Sequence, residues 1–315
     1  MYNPDINNRK LFPPFAALRA FEAVGRLGGI RSAATALMLD HGVVSRHLRA
    51  LEEWVGAPLL DRSGGRIVLT ERGQAYHSDI SAAITYIGRA TAGLMENESS
   101  VRLMVSCVPG LCTVWLVSAI DAFREANPLI GVEVRPTVSA PDLHRLEADI
   151  DIRYEFGFGT KTVDPGLRAA RLASAPIFPV ASPTYLDSAG PFPDPQSLLH
   201  GAELLHEETF QYWADWFRAH GVDGDEPITG TRLWHGHLTV DYARRGRGIA
   251  LANPFLVGDD FETGRLIDVR SRMVTKPVPL NGEYVFYTRA DRWNSPRISR
   301  LCRWLVKRAE SSQAT

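Results

Sequence analysis

The sequence predicts an all-α winged helix-turn-helix unit, followed by a long helix and then an α/β region whose strands fall into two sets. Three patterns predict this order: three short helices with a β-hairpin, one continuous helical seam after them, and strands that alternate with helices beyond it. The predicted boundaries are 1–70 for the winged unit, 71–98 for the long helix and 101–309 for the α/β region.

The first two helices are marked by proline, glycine and small residues. Pro14 suits the first turn of a helix, because its missing amide hydrogen would have no partner there, and Gly28 ends that helix. A shorter helix follows from about Arg31, where Ala33 and Ala34 permit close packing. The two helices are therefore predicted to cross at short range.

The third helix carries the most informative pattern in the chain. Asp40 is placed to cap it, since a carboxylate there can accept a hydrogen bond from a first-turn amide. An apolar stripe recurs at steps of four, three and four residues and consists of Val44, Leu48, Leu51 and Val55. Arg46 and Arg49 lie off this stripe. A helix with one apolar face and one cationic face is typical of a DNA-reading helix.

Polar and basic residues around this helix are the candidate DNA contacts. They are Arg31, His41, Gly42, Ser45, Arg46, Arg49, Arg62 and Arg66. Arginine bonds to guanine edges or to phosphates, and the sequence leaves open which residue does which, although Arg62 and Arg66 flank the predicted wing turn at 63–65 and suit phosphates. Residues 1–72 hold ten basic and seven acidic residues, so charge alone does not exclude a small bundle with a solvated basic face.

The long helix predicted over 71–97 has an apolar seam that a second helix could cover. Its members, at alternating steps of four and three, are Tyr76, Ile80, Ala83, Ile87, Ala90 and Leu94. A helix-turn-helix protein needs two half-sites, which a two-fold dimer supplies, so the seam favours dimerisation. The alternative is an amphipathic helix folded against its own chain. Residues 96–100 are polar and are predicted to form a hinge.

Composition limits the class of protein. A chain of 315 residues with 45% hydrophobic residues can bury more than one core. No apolar run is long enough to span a bilayer, and the amino terminus lacks a signal-peptide pattern, so we expect a cytoplasmic location. Cys107, Cys112 and Cys302 fit neither a disulfide framework nor metal-site spacing, and redox sensing by Cys107 and Cys112 is the alternative to inert packing.

Beyond residue 101, short apolar strands alternate with helices, which favours a parallel α/β architecture. A helix is predicted at 114–126, and a strand at 284–287 with a helix at 298–306 is predicted to return to the first set. The other strands are predicted at 103–107, 132–134 and 150–152 in the first set, and at 177–180, 203–206, 232–234 and 249–251 in the second.

Several of these motifs resemble those of LysR-type transcriptional regulators. The amino-terminal likeness rests on 18–24, Ala33-Ala34, 44–52, 58–60 and Leu69-Thr70 with Gly73. Where the family usually carries Thr-Gln-Ser or Thr-Gln-Pro at the start of the reading helix, this chain has Asp40-His41-Gly42, which affects the expected operator sequence. Later motifs are similar to the branch that includes the glycine-cleavage activator and the β-lactamase regulator; they are 151–154, 205–208, 246–251 and 259–266.

The resemblance implies that 101–309 is a two-lobed effector domain, similar to periplasmic binding proteins, with a small molecule between the lobes. Lobe 1 is expected over about 101–172 and 275–309, and lobe 2 over about 173–274. Open α/β sheets bind ligands at the carboxyl ends of their strands, and free helix amides there favour an anion.

The candidate effector contacts lie where predicted strands end. They are Val108, Pro109, Gly110, Leu111, Arg153 and Tyr154 on lobe 1, and His206, Glu207, Trp234, His235 and Phe255 on lobe 2. Arg153 could supply a cation to the ligand. Alternatively, Arg153 forms a structural ion pair with a nearby acid such as Asp149 or Asp151.

Two other patterns near the predicted cleft have ordinary explanations. A metal site is one interpretation of His235 and His237 with Glu207 or Glu208. However, a His-x-His in a loop has no fixed partners in sequence, so we expect no metal. An aromatic cluster is expected in the core rather than in a ligand cage; it comprises Trp213, Trp216 and Phe217.

The sequence therefore predicts a regulator that binds double-stranded DNA at an interrupted palindrome under control of a small-molecule effector. We expect a homodimer that assembles to a homotetramer, with RNA polymerase as a further candidate partner and without a cofactor. A solute-binding protein would have no use for residues 14–72. An enzyme would need a Ser-His-Asp spacing, a glycine-rich phosphate loop or paired catalytic carboxylates, none of which we find in the sequence.

Overall fold

The computed structural model describes residues 12–62, 67–95, 102–156, 162–222, 227–274 and 276–313. The chain divides into two compact units, Met1–Asn97 and Glu98–Thr315. The predicted wing turn at 63–65, Arg66 and the predicted hinge at 96–100 lie outside the described residues. Within the described ranges, no helix is both long enough and apolar enough to cross a lipid bilayer.

Three helices form the core of the first unit: α1 (Phe15–Leu27), α2 (Ile30–Leu37) and α3 (His41–Val55). Gly28 ends α1 in the left-handed region at a φ of 70°, where glycine has no side chain to strain. The Asp40 carboxylate caps α3 by accepting a hydrogen bond from the Gly42 amide at 2.7 Å. The predicted end of the first helix and the predicted cap of the third are both confirmed.

A two-stranded wing and a long helix complete the first unit. Strands β1 (Leu60–Asp61) and β2 (Val68–Leu69) pair antiparallel, and α4 (Glu71–Met95) follows. A Cβ added at Gly73 would lie 2.0 Å from the Leu59 carbonyl oxygen, so the close approach of α4 to the wing requires glycine. His77 on α4 donates a hydrogen bond from Nε2 to the Glu22 carbonyl at 2.9 Å and so holds α4 against α1.

The second unit consists of two lobes, each built on a five-stranded sheet of described residues. Its strands are β3 (Leu103–Cys107), β4 (Val132–Pro136), β5 (Ile150–Phe156), β6 (Leu167–Ser174), β7 (Phe178–Ala181), β8 (Leu204–His206), β9 (Thr231–Arg232), β10 (Ile249–Ala252), β11 (Ile267–Asp268) and β12 (Gly282–Arg289). Its helices are α5 (Pro109–Leu111), α6 (Val117–Ala126), α7 (Pro183–Ala189), α8 (Pro195–Gly201), α9 (Gln211–Ala219), α10 (Gly236–Arg244), α11 (Pro254–Val257) and α12 (Pro296–Gln313). A π-helical turn, Cys112–Leu116, joins α5 to α6.

The sheet of lobe 1 has the order β4-β3-β5-β12-β6, and that of lobe 2 has the order β11-β7-β10-β8-β9. The return of β12 to lobe 1 is confirmed. The expected parallel pairing holds within the strands β3, β4 and β5 and within β8, β9 and β10, whereas β12 runs antiparallel to β5 and β6, and β7 runs antiparallel to β10 and β11. A strand that re-enters a sheet from the other lobe arrives from the opposite direction, which explains the mixed pairing.

The chain crosses between the lobes twice, and the two crossings pair with each other. Ile177 and Leu280 exchange both backbone hydrogen bonds, at 2.9 and 3.0 Å, and the Ala175 amide donates to the Gly282 carbonyl at 2.7 Å. The Tyr154 hydroxyl donates to the Ala175 carbonyl at 2.8 Å. We call residues 175–177 with 280–282 the hinge ribbon; it lies beside the edge of the inter-lobe cleft.

Candidate nucleic-acid interface and ligand cleft

The two faces of α3 differ as the sequence predicts. Val44, Leu48 and Leu51 are at most 1% exposed and pack into the core of the first unit, while Val55 is half-buried. Arg46 and Arg49 are exposed on the other side of the helix. The predicted orientation of the third helix is therefore confirmed, and the side chains of Arg46 and Arg49 face solvent.

The other candidate contacts are distributed around this exposed face. Arg31 is exposed on α2, and His41 and Gly42 are exposed at the first turn of α3. Ser45 is half-buried, and its hydroxyl donates to the His41 carbonyl at 2.9 Å, which leaves the hydroxyl oxygen able to accept a further hydrogen bond. The face thus offers both cations and small polar groups.

Glu52 joins α3 to the wing. Its Oε1 accepts hydrogen bonds from the Leu59 and Leu60 amides at 2.9 and 3.0 Å, and its Oε2 accepts from the Arg62 guanidinium at 2.8 Å. Arg62, expected to contact phosphate, stands in this internal ion pair with 45% of its side chain exposed. Sequence reasoning missed the role of Glu52 because its partners lie seven to ten residues away across an irregular turn.

Replacing Glu52 by alanine is expected to lower the free energy of unfolding by about 1–3 kcal/mol, because two amides lose their acceptor. It is also expected to weaken DNA binding, because the wing is released from α3. Denaturant unfolding and DNA titration measure the two effects. Glu53→Ala, which removes an exposed carboxylate at the next position, is the matched control and should change stability by less than about 0.5 kcal/mol. Equal effects of the two substitutions would contradict the role of Glu52.

A cavity of about 240 Å³ lies between the lobes of the second unit. The predicted contacts that line it from lobe 1 are Val108, Pro109, Gly110, Leu111, Arg153 and Tyr154, and those from lobe 2 are Glu207, Trp234 and His235. Sequence reasoning did not select other lining residues that bear on its chemistry, namely Phe156, Glu208, Tyr212, Asn253 and Tyr284. The cleft is therefore rich in aromatic rings and carboxylates.

Two predicted contacts do not line the cavity. His206 is 1% exposed, its Nε2 donates to the Thr229 carbonyl at 3.0 Å, and its ring lies 4.3 Å from that of Phe210. Phe255 is buried, with its ring edge-on to those of Trp115 and Tyr284 at 5.4 Å each. His206, the last residue of β8, turns into lobe 2, whereas Glu207, the first residue after the strand, lines the cleft.

All N–H donors of Arg153 are engaged in hydrogen bonds inside lobe 1. Its guanidinium pairs with the Asp151 carboxylate at 2.8 Å, and it donates to the Ser106 hydroxyl at 3.1 Å. Its remaining donors bond to the segment 137–139, at the Thr137 and Val138 carbonyls and the Thr137 hydroxyl among other acceptors. This geometry favours the structural ion pair over a cation offered to an anionic ligand, because the five N–H donors of Arg153 already have partners.

Glu207 is the central acidic group of the cleft. Burial, followed by the nearby charge of Glu208, raises its pKa to about 7, while a hydrogen bond from the Gly236 amide opposes this rise. Gly236 is the first residue of α10, so the carboxylate occupies the place where that helix would receive an anion. At α11, Asn253 fills the same role, since its side-chain oxygen accepts from the Phe255 and Leu256 amides.

Aromatic side chains form one connected wall of the cleft. The Tyr154 ring lies 5.2 Å from the rings of both Phe156 and Tyr284, and Phe156 lies 5.9 Å from Tyr212. The Tyr284 hydroxyl accepts a hydrogen bond from the Asn253 amide nitrogen at 3.0 Å. Burial raises the pKa of Tyr154, Tyr212 and Tyr284, so these phenols stay neutral.

The remaining candidates have structural surroundings. Trp213, Trp216 and Phe217 are buried together in the core of lobe 2, as predicted. Among the residues that the structure describes, no three His, Cys, Asp or Glu side chains gather as metal ligands. Burial raises the pKa of both Cys107 and Cys112, which disfavours the reactive thiolate.

Two family models match the chain. One, described as a bacterial regulatory helix-turn-helix protein of the lysR family, matches residues 15–74, and the other, described as a LysR substrate binding domain, matches residues 96–310. Among curated relatives, the glycine cleavage system transcriptional activator of Escherichia coli K12 is 31% identical over 258 residues, which are 82% of this chain and 83% of that protein. The transcriptional activator AmpR of Rhodobacter capsulatus is 27% identical over 298 residues, covering 93% and 96%.

Solved structures share the fold over nearly the whole chain. CrgA, a LysR-type transcriptional regulator from Neisseria meningitidis, has a TM-score of 0.58 and 22% identity over 93% of this chain and 98% of its own. Full-length CbnR, in a complex with its target DNA, has a TM-score of 0.64 and 16% identity over 94% of this chain and 99% of its own. The curated relatives described above are named as activators of transcription and not as enzymes.

Proposed function

The chain belongs to the LysR family of bacterial helix-turn-helix regulators, and from this premise we propose that it binds an interrupted palindrome as a dimer and responds to a small molecule in its inter-lobe cleft. It is a transcriptional regulator with a DNA-binding domain and an effector-binding domain. The alternatives of a solute-binding protein or an enzyme are not favoured, because both family models and the curated relatives point to transcription.

The observation that carries the DNA-binding mode is the division of α3 into two faces. Its apolar stripe is buried, so the helix can enter a major groove only with the side that bears Arg46 and Arg49. The capped first turn brings His41, Gly42 and Ser45 to the same end of the helix. In this proposal these residues meet base edges, while Arg31, Arg62 and Arg66 meet phosphates and set the register.

The assembly is proposed from the exposed end of the α4 seam. Tyr76, at the start of the seam, packs on Phe21 of its own unit at 5.8 Å between ring centroids. Ile87, further along, is 46% exposed. A large apolar side chain on a long helix favours coverage by a second helix, and a two-fold pair of α4 helices would present two reading helices to two half-sites. Dimers are proposed to associate into tetramers in the cytoplasm, with RNA polymerase as a partner at the promoter.

Control by the effector is proposed to act through the hinge ribbon. The cleft lies between lobes that two paired chain crossings and the contacts of Asn253 and Phe255 with Tyr284 connect, so a ligand that contacts both lobes favours one angle between them over another. Such a ligand regulates only if its affinity differs between the two arrangements. We also propose that the winged unit ends at 70–71 and that the long helix is joined to the effector domain at 98–101.

The proposed function is tested by band-shift titration and footprinting on the promoter DNA beside the protein's own reading frame. We expect a sequence-preferring complex whose affinity falls as salt rises, because cationic side chains displace counterions from phosphates. The footprint is expected to cover two half-sites with an unprotected interval between them. Binding of equal strength to unrelated DNA, or a single protected half-site, would contradict the proposal.

A further inference from the structure

The charges that face the cleft are mostly negative. Glu207 and Glu208 line it, whereas Arg153, the cation in its described lining, has its donors engaged by Asp151 and the 137–139 segment. Arg232 lies over the Trp234 ring at 5.2 Å and is not a lining residue. An anionic ligand would thus meet two carboxylates without a free cation among the described lining residues.

We propose that the effector carries a protonated amine, which the Glu207 carboxylate binds among the aromatic rings of the cleft. This inference rests on the proposed function, because it names the class of ligand for the same effector site. It replaces the expectation of an anionic effector, which rested on free helix amides and on Arg153 as a cation. On the lobe 2 side of the cleft, the first-turn amide of α10 already donates to Glu207, and those of α11 donate to Asn253.

Glu207 is placed to receive a cation. It lies at the side of the cleft formed by lobe 2, where the Gly236 amide orients it, and within the described residues it has no lysine or arginine partner. An enclosed carboxylate without a counter-ion is unfavourable, because burial removes its hydration. A bound ammonium group would supply the missing charge, so filling the cleft would also relieve this cost.

The aromatic wall adds a second form of recognition. Tyr154, Phe156, Tyr212, Tyr284 and Trp234 all line the same cavity as Glu207. Aromatic faces attract cations by their quadrupole, and this attraction is stronger in a desolvated pocket. A carboxylate combined with several rings is therefore complementary to an amine attached to an aromatic or apolar body.

The surroundings of Glu207 also make the affinity for an amine depend on pH. The titratable groups near it are Glu208 beside it, Tyr154 on β5, Tyr212 on α9, Tyr284 on β12 and His235 before α10. The three phenols stay neutral near pH 7. The pKa of Glu207 is raised to about 7, so an amine, which binds its ionised form, should bind more tightly as pH rises from 6 to 8. A carboxylate ligand would show the opposite trend.

The test uses the full chain and three probes with one skeleton: tyramine, 4-hydroxyphenylacetate and the neutral 2-(4-hydroxyphenyl)ethanol. Calorimetric titration at millimolar probe concentration is expected to show tightest binding of tyramine. Its affinity should rise roughly tenfold from pH 6 to pH 8, in step with ionisation of a group of pKa about 7. In Glu207→Gln, which keeps the size of the side chain, we expect tyramine affinity to fall at least tenfold.

Glu262→Gln is the matched control, because it removes the same charge from an exposed position of lobe 2 outside the cavity lining, and it should weaken tyramine binding by less than threefold. Tighter binding of the carboxylate, equal binding of all three probes, or no binding of tyramine would overturn the amine proposal. The pH trend and the probe order are measured on the unaltered protein and stand even if a variant fails to fold. Operator titration of the unaltered protein tests the proposed function separately, so amine recognition without operator binding would reject only the latter.

Discussion

Replacing Arg46 and Arg49 together by alanine is expected to weaken operator binding by at least about 30-fold while the fold stays intact. A good arginine contact to a base edge contributes about 1–3 kcal/mol, and about 1.4 kcal/mol corresponds to a factor of ten. Both side chains are exposed, whereas the buried side of α3 is formed by Val44, Leu48 and Leu51. Truncation therefore opens no cavity. Band-shift titration at fixed salt measures the affinity, and thermal unfolding checks the fold.

The single substitutions separate base reading from phosphate binding. A base-reading arginine, when removed, relaxes the preference between operator variants, while a phosphate-binding arginine lowers the dependence of affinity on salt by about one ion. Arg26→Ala serves as the control, because it removes one cation from the same unit at a residue that pairs with Glu22 on α1. Unchanged affinity in the double variant would mean that α3 is not the reading helix.

Replacing Arg153 by methionine is expected to lower the free energy of unfolding of the second unit by about 3–5 kcal/mol. The substitution strands the buried Asp151 carboxylate and removes donors to Ser106 and to the 137–139 segment, and breaking a buried pair from one side costs about this much. For a unit of this size the midpoint of thermal unfolding should fall by about 10 °C. Denaturant unfolding followed by tryptophan fluorescence measures the change.

Arg171→Met is the matched control for this prediction. Arg171 is 61% exposed and pairs with Glu283 at 3.0 Å, so its loss should change stability by less than about 1 kcal/mol. If Arg153→Met were as stable as Arg171→Met but lost ligand affinity, Arg153 would be a ligand cation after all. The comparison thus decides between the two interpretations that the sequence alone left open.

Local signals made much of the first unit predictable. The periodicity of Val44, Leu48 and Leu51 fixed which side of α3 is buried, because that pattern depends only on helix geometry. Asp40 and Gly28 marked helix ends through interactions within a few residues. For the same reason, most strands of the second unit were found from short apolar runs. β6 was missed because Arg168 and Arg171 interrupt its apolar pattern.

The parts that could not be predicted depend on contacts between distant segments. Glu52 serves the wing only after the chain has turned back, and Tyr284 reaches the cleft only because β12 returns to lobe 1 beside β5. Whether the donors of Arg153 are engaged inside lobe 1 depends on where Ser106 and the 137–139 segment fold around it. In the cleft, sequence position indicated which strand ends meet, but the charge balance followed from which side chains already have partners.

The pairing of Ile177 with Leu280 joins the two chain crossings into one hydrogen-bonded unit, the hinge ribbon, so the crossings do not move independently. Sliding of one crossing along the other would break both hydrogen bonds of this pair at once. The contacts of Asn253 and Phe255 with Tyr284 join the lobes at a second place beside this pairing. A small molecule that contacts both lobes would then favour one angle between them, because the paired crossings leave bending easier to accommodate than sliding.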